Sequence, residues 1–308
     1  MRNGGVKPSV ALIGPGRVGC VIARALHRAG YALCAVIGTQ HQSASAACRF
    51  IGCSEQLAST DLGAAAPAGL VLLAVPDDLI APTAHSLQKK VCLAPATTLL
   101  HFSGVHPAAV MRYPGAAVTL FSLHPLLPFA DRDKAFARLS LAAYAGEGDA
   151  AATALAEELV TVLGGTFWLL AAEHKPLYHA AACVASNYLV TLVSAAGQLL
   201  SACGIPAQAA PQLLAPLLQA TLENILSQGV EEALTGPIVR GDTGTLARHL
   251  AALELQAPEL REFYCRLGEK TVQLARAAGR LNQAAGNEIL TLLQPGGTPA
   301  SDKMKSKQ

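Results

Sequence analysis

"SVALIGPGRVGCVIARALHRAG", residues 9–30, is the stretch that decides the fold. It opens with an apolar run of strand length, Val10 to Ile13. Three glycines follow, Gly14, Gly16 and Gly19, at G-x-G-x-x-G spacing. Apolar positions then recur at helical intervals until Gly30 stops them. Strand, glycine turn and helix form the context in which this spacing carries chemistry. The first glycine permits a tight turn, the second lets a diphosphate approach the backbone, and the third lets the helix pack on the strand. The diphosphate of a dinucleotide would then rest on unpaired N–H groups at the positive end of the helix dipole. Gly14, Gly16, Arg17, Val18 and Gly19 are therefore the candidate binding residues. The Arg17 side chain is open between a phosphate contact and plain solvent.

Working outward, "ALCAVIG" (32–38) reads as a second strand. "LVLLAVP" (70–76), "TTLLHFSG" (97–104) and "AVTLFSLHP" (117–125) repeat the pattern. Continuous apolar runs of this length suit parallel strands covered on both faces. Strand alternating with helix predicts an α/β fold with a doubly wound parallel sheet. "LSLAAYAG" and "TFWLL" are weaker strand candidates around a helix at 149–163. After about residue 170 the strand-like runs end and Ala/Leu-rich helical stretches take over. They are expected near 176–202, 206–228, 243–253, 256–279 and 282–292. The reading divides the chain into a dinucleotide-binding domain (8–170), a helical domain (171–293) and a disordered tail (294–308) rich in Gly, Pro, Ser and Lys.

An acidic residue near the end of the second strand would bind the ribose 2′-hydroxyl of NAD. "VIGTQHQSAS" (36–45) has none, which removes the repulsion of a 2′-phosphate and favours NADP over NAD. Thr39, Gln40, His41 and Ser43 are candidate donors to that phosphate. Ligands in such sheets sit beyond the carboxyl ends of the strands. Val75 and Pro76 in "AVPDD" would flank a nicotinamide ribose. Ser103 in "HFSG" and His124 in "SLHP" would face a substrate, although simple turn chemistry explains the same residues.

"EHKPLYHAAACVASNY" (173–188) puts polar groups on a helix that is otherwise apolar. At about 100° per residue, His179, Ala182 and Ser186 lie near one line, with Lys175 pointing the same way and Asn187 at the edge. The reading is a helix buried for most of its length whose N-terminal end lines a site. Single residues also fit a structural role; the cluster favours a site, because buried polar groups need partners. In "ALTGPIVRGDTGTLARHL" (233–250), Asp242 suits an N-cap. Arg240 offers a planar fork for an anionic substrate group, or a structural ion pair.

Composition narrows the classes. Net charge is +2, with 14% charged residues, so no basic field recruits nucleic acid. The chain is 52% hydrophobic and has no charged residue between Lys175 and Glu223. The polar interruptions there favour burial against protein over a membrane span. "MRNGGVKPS" lacks the apolar core of a signal peptide. Eight scattered cysteines without C-x-x-C or zinc spacing read as reduced core thiols of a cytoplasmic protein, with no metal expected.

"ALIGPGRVG", "LLAVPDD", "HFSG", "SLHPL", "YHAAACVASNY" and "ALTGPIVRGD" occur in an order that resembles a group of bacterial proteins. These join a Rossmann-like domain to a helical domain of unknown function. They are similar to pyrroline-5-carboxylate reductase, the deazaflavin-dependent NADP oxidoreductases and the 6-phosphogluconate dehydrogenase superfamily. The resemblance spans roughly residues 8 to 292. It implies an N-terminal Rossmann fold, an all-α C-terminal domain of the 6-phosphogluconate dehydrogenase type and homodimers built through its helices. In the β-hydroxyacid dehydrogenase branch a Lys and an Asn four residues apart act together; Lys175 and Asn187 are twelve apart, so that pairing does not carry over.

The resulting expectation is an NADP-dependent oxidoreductase acting on a small carbonyl, imine or hydroxy compound. His179 would be the general acid or base, because histidine ordinarily titrates near neutrality. Lys175 and Asn187 would orient substrate, Ser186 would line the pocket and Arg240 would hold an anion. The alternative is a non-catalytic NADP-binding sensor or assembly protein that keeps the fold.

Overall fold

The computed structural model describes residues 7–295; the expected tail beyond Pro295 lies outside the described residues. Eight strands form one sheet: β1 (Val10–Ile13), β2 (Leu33–Ile37), β3 (Ala58–Ser59), β4 (Leu70–Leu73), β5 (Thr98–His101), β6 (Thr119–Leu126), β7 (Ala143–Gly148) and β8 (Thr166–Leu169). Their spatial order is β3-β2-β1-β4-β5-β6-β7-β8. Every neighbouring pair is parallel except β6 with β7. The doubly wound, mainly parallel sheet is as expected, and the β6–β7 pair is its antiparallel exception. The two weaker strand candidates are β7 and β8, and β7 returns alongside β6 in the opposite direction.

Six helices accompany the sheet: α1 (Arg17–Arg28), α2 (His41–Ile51), α3 (Asp77–Lys90), α4 (Arg132–Arg138), α5 (Ala150–Leu163) and α6 (Lys175–Ala185). The unbroken apolar runs are explained by what covers each face. Val10, Leu12, Leu70 and Leu72 pack into one core with residues of α1, α2 and α5. Their alternates Ala11, Ile13, Val71 and Leu73 pack into a second core with residues of α3. Successive strand side chains point to opposite faces, so a strand covered twice must be apolar throughout. From β1 the chain runs outward to β2 and β3, then crosses back to β4 on the other side of β1. The crevice beyond the carboxyl ends of β1 and β4 is the topological switch point of the sheet.

The chain divides into two units at Ser186–Asn187, so α6 belongs with the sheet. The second unit holds α7 (Asn187–Ala202), α8 (Ala210–Gln228), α9 (Val230–Ala233), α10 (Thr243–Gln256), α11 (Pro258–Ala277) and α12 (Gln283–Leu293). Its core is made by α10, α11 and α12 through residues such as Leu246, Val272 and Ile289. Asp242 caps α10 by accepting the Thr245 N–H at 2.9 Å.

Three expectations need correction. The single helix at 176–202 is two helices, broken where Ser186 takes φ −116° and ψ −65°. Ser and Asn side chains compete for backbone groups and so sit well at such a junction. Nor is that helical stretch buried for most of its length: Lys175 is the buried residue of α6 and Gly197 that of α7. Among the described residues nothing covers the apolar side chains Val190, Leu213, Leu217 and Leu226, which are all more than half exposed. The stretch Ala172–Ala202 is long and apolar enough to cross a membrane by length and composition. Its first turn is nevertheless committed to the sheet, through Lys175 and the Ser122 hydroxyl. The cysteines are all unpaired, but only Cys20, Cys48 and Cys265 are core thiols; Cys92 and Cys203 are exposed.

Candidate functional site

At the switch point the glycine loop is built as a cradle. Gly14 has φ +85°, a conformation that L side chains rarely adopt, and a Cβ there would lie 2.7 Å from the Ala74 carbonyl oxygen. A Cβ on Gly19 would lie 2.7 Å from Ala74 Cβ and 2.8 Å from Leu12 Cδ1, so its absence lets α1 approach β1 and β4. Gly16 differs, because its nearest neighbour would be 3.9 Å away and the space before it is open. The Gly16 N–H donates to the Gly14 carbonyl at 2.8 Å, which holds the turn. Behind it α1 begins at Arg17 with no side-chain cap and no acid in its first turn. Arg17 is exposed and Val18 half-buried. An uncapped helix start facing open space beside a bare glycine fits a diphosphate.

The cradle continues into a cleft of about 330 Å³ lined by Gly14, Gly38, Thr39, Thr60, Val75 and Leu79. Pro76, exposed, precedes the first turn of α3. Thr39 and Gln40 are exposed where β2 hands over to α2, and Ser43 Oγ donates to the Gln40 carbonyl at 2.7 Å. No acid occupies the first turn of α2. These residues can hold the ribose and its substituent without repelling a 2′-phosphate.

At the carboxyl ends of β5 and β6 the character changes from backbone to side chains. Lys175, the first residue of α6, is 1% exposed. Its ammonium donates to the Ser103 carbonyl at 2.9 Å and to Ser122 Oγ at 2.7 Å. Burial pushes its pKa down to about 8, while the carboxylates of Glu147 and Asp77 act in the opposite direction. Ser122 passes the chain on by donating to the Ser103 carbonyl at 3.3 Å. The Ser103 hydroxyl donates to Asp77 Oδ2 at 2.9 Å and accepts from the N–H groups of Val105 and His106. Glu147, buried opposite Ser122 in the β6–β7 register, accepts the Ala108 N–H at 2.6 Å. Burial raises its carboxyl above the ordinary range. His101, fully buried, is pushed down to about 3, first by burial and then by the Lys175 charge.

Above this buried network lies a group of half-buried rings. His124 Nδ1 is 3.0 Å from the Tyr178 hydroxyl. The His124 ring meets those of Tyr178 and His179 edge-on, with centroids 5.6 and 5.7 Å apart. Cys183 Sγ lies 3.8 Å from His179 Nδ1, one helical turn along α6. The rings overhang Gly104, where a Cβ would overlap His179 Cδ2 and come within 3.1 Å of His124 Nε2. Burial, then His179, then Lys175 push His124 down to about 4.

Of the residues singled out by sequence, the structure thus gathers Lys175, His179, His124 and Ser103 at one end of β5 and β6. Ser103 has its hydroxyl fully engaged, and Lys175 lies beneath the rings, out of reach of solvent. Ser186 and Asn187 are exposed at the junction of the two units. Arg240 is exposed in the second unit, close enough to Asp242 to help hold that carboxyl below its usual range, after the stronger effect of the Thr245 N–H. Tyr178, Ser122, Glu147, His101 and Gly104 were not foreseen. Tyr178 stood next to His179 in the quoted helix, which was a usable signal.

Comparison with known proteins agrees with this build. Residues 2–125 match the Rossmann-like domain family, and residues 142–271 match a family described as a domain of unknown function, DUF2520. The chain therefore carries a Rossmann-like domain followed by a DUF2520 domain. Among solved structures it is similar to a Bacteroides fragilis protein named only provisionally as an NADP oxidoreductase, at 19% identity and TM-score 0.67, covering 89% of this chain and 99% of that one. It is also similar to protein TM1727 of Thermotoga maritima, at 21% identity and TM-score 0.63, covering 87% and 98%. A pyrroline-5-carboxylate reductase of Coxiella burnetii shares 16% identity and TM-score 0.57 over 89% and 99%. A search of the curated proteins finds no match. At these identities the likeness shows the fold alone.

Proposed function

We propose that the protein is an NADP-dependent oxidoreductase acting on a small carbonyl, imine or hydroxy compound. The observation that carries the reading is the cradle at Gly14, Gly16 and Gly19. It combines a closed turn, a tightly packed helix and one open position before an uncapped helix start. When bound, a nicotinamide supplies or accepts the hydride. The backbone around Gly16, Arg17 and Val18 would hold the diphosphate. Thr39 and Gln40 would hold the 2′-phosphate, and the missing acid there favours NADP over NAD. The likeness to proteins named for NADP and for pyrroline carboxylate supports the same class of chemistry.

The chain's own groups then divide the remaining work. His179 is the acid or base, within reach of solvent and beside His124. His124 orients the reacting group. Ser186, just after α6, contributes a polar contact. The exposed apolar side chains of α7 and α8 are covered by a second copy of the chain, giving a cytoplasmic homodimer; Val190, Leu217 and Leu226 support this by their exposure. The test is to mix the protein with NADPH or NADH and a panel of small keto acids, cyclic imines and hydroxy acids. Loss or gain of reduced-nicotinamide absorbance with one class is the expected result. Tight NADPH binding without turnover on any of them would contradict an enzymatic role.

A further inference from the structure

The hydrogen bond between Tyr178 and His124 has two possible directions, and the surroundings distinguish them. A tyrosine hydroxyl both donates and accepts, whereas a neutral imidazole offers one donor and one acceptor. If His124 Nδ1 carried the proton, the Tyr178 hydroxyl would accept it and its own hydrogen would need another acceptor. Among the described residues His124 Nδ1 is the only partner of that hydroxyl. If Tyr178 donates instead, Nδ1 accepts that hydrogen and the one donor left without a protein partner is the His124 Nε2–H. Burial of Tyr178 raises its pKa to about 12, so the donor proton stays on the phenol.

We infer that Tyr178 is a positioning residue: it fixes His124 as the Nε2–H tautomer, so that His124 presents a single neutral N–H donor toward the substrate. The Nε2 atom has no protein partner among the described residues, yet it is not sealed from solvent. It lies beside Gly104, where a Cβ would come within 3.1 Å of it and overlap His179 Cδ2, so the missing side chain is what lets both rings approach the loop. The groups facing the ring agree with a neutral donor. His179 and Lys175 of α6 disfavour a second proton on it, burial does so more strongly, and only Asp77 at the start of α3 opposes them. Lys175 thereby acts on the site without touching it, from below Ser103 and Ser122.

A fixed N–H donor selects an acceptor. The group it holds is a carbonyl or carboxylate oxygen rather than an ammonium or another donor. This deepens the oxidoreductase reading, on which the substrate part rests: the compound bound for reduction carries an oxo or carboxylate oxygen at this point.

The test reads the tautomer directly. The histidine ring nitrogens are labelled with ¹⁵N, and the His124 signals are assigned by their loss in H124Q or H124N. The expected spectrum shows a protonated Nε2 and a bare Nδ1 near neutral pH, persisting until the pH falls to about 4. In Y178F the tautomers mix and the titration moves upward, and kcat falls roughly tenfold with little change in KM, the cost of about one oriented hydrogen bond. A wild-type spectrum with the proton on Nδ1, or with both nitrogens protonated near neutrality, overturns the inference. So does a Y178F spectrum identical to wild type. The expected spectrum without any turnover leaves the tautomer standing and removes the oxidoreductase reading; turnover with the wrong tautomer does the reverse.

Discussion

Two ends of one strand edge solve opposite problems. Beyond β1, β2 and β4 the groups on offer are backbone: bare glycines, an uncapped helix start and short polar residues, with no titratable side chain among those that line the cleft. Beyond β5 and β6 the groups are side chains, and nearly all of them titrate. Lys175, His101, Glu147 and Asp77 lie around Ser103 and Ser122, with His124, Tyr178 and His179 above. Backbone donors hold a charged ligand without changing charge themselves, which suits a cofactor that must bind in two redox states. Side chains of shifted pKa suit chemistry, because burial and neighbours set which proton is held.

Damage to the second end should leave the first intact. His179→Ala or His124→Gln should lower turnover by about a hundredfold, the lower range for a lost acid–base group, with NADPH affinity nearly unchanged. Equal loss of turnover and affinity would erase the distinction between the ends. Gly104→Ala should resemble these variants, since its Cβ would collide with the His179 ring rather than with backbone. Circular dichroism would show the fold retained.

Damage to the first end should instead act on nucleotide affinity. Thr39→Asp places an acid where β2 meets α2. NADPH affinity should fall by roughly tenfold to a hundredfold while NADH affinity holds, as expected when a carboxylate replaces a 2′-phosphate neighbour. Equal affinity changes for both nucleotides would mean that Thr39 lies away from the ribose. Away from either end, Leu217→Glu or Leu226→Glu should convert a dimer to monomers in sedimentation, because both side chains are exposed on α8. An unchanged sedimentation coefficient would remove α8 from the interface.

The smallest effect is on stability against pH. His101 and His124 titrate near 3 and 4 when folded, against 6.5 ordinarily. Between those values the unfolded chain binds more protons, so stability falls as pH drops from about 6.5 toward 4. Glu147, with its raised carboxyl, works the other way and blunts the slope. Lys175, lowered to about 8 from 10.5, adds a gain in stability as pH rises between those two values. Thermal melts across pH check each arm. The acid slope should shrink in H124Q, and the alkaline gain should vanish in K175M.

Much of the first end was legible because its signals are local. The apolar run, the glycine spacing and the helix after them all fall within residues 9–30. The sheet around it was legible as apolar runs, but not the antiparallel return of β7, since strand direction leaves no mark in periodicity. The two-residue β3 was too short to show. At the second end, helical spacing placed Lys175 and His179 on one face. It could not tell that Lys175 is buried, because its partners Ser103 and Ser122 lie 72 and 53 residues earlier. Tyr178 falls off the line through His179 and Ser186, and its partner His124 is 54 residues away. The chemistry of that end depends on contacts that only folding brings together.

The most direct test of the whole account is calorimetry of NADPH binding to the wild type and to Gly16→Glu. Gly16 has φ −78° and ψ −165°, extended backbone open to any residue, and a side chain there meets only open space. The variant should therefore fold, and only the ligand should be displaced. Clear binding heat is expected in the wild type and none in the variant. Equal heat in both, or none from the wild type with either nucleotide, would contradict that expectation.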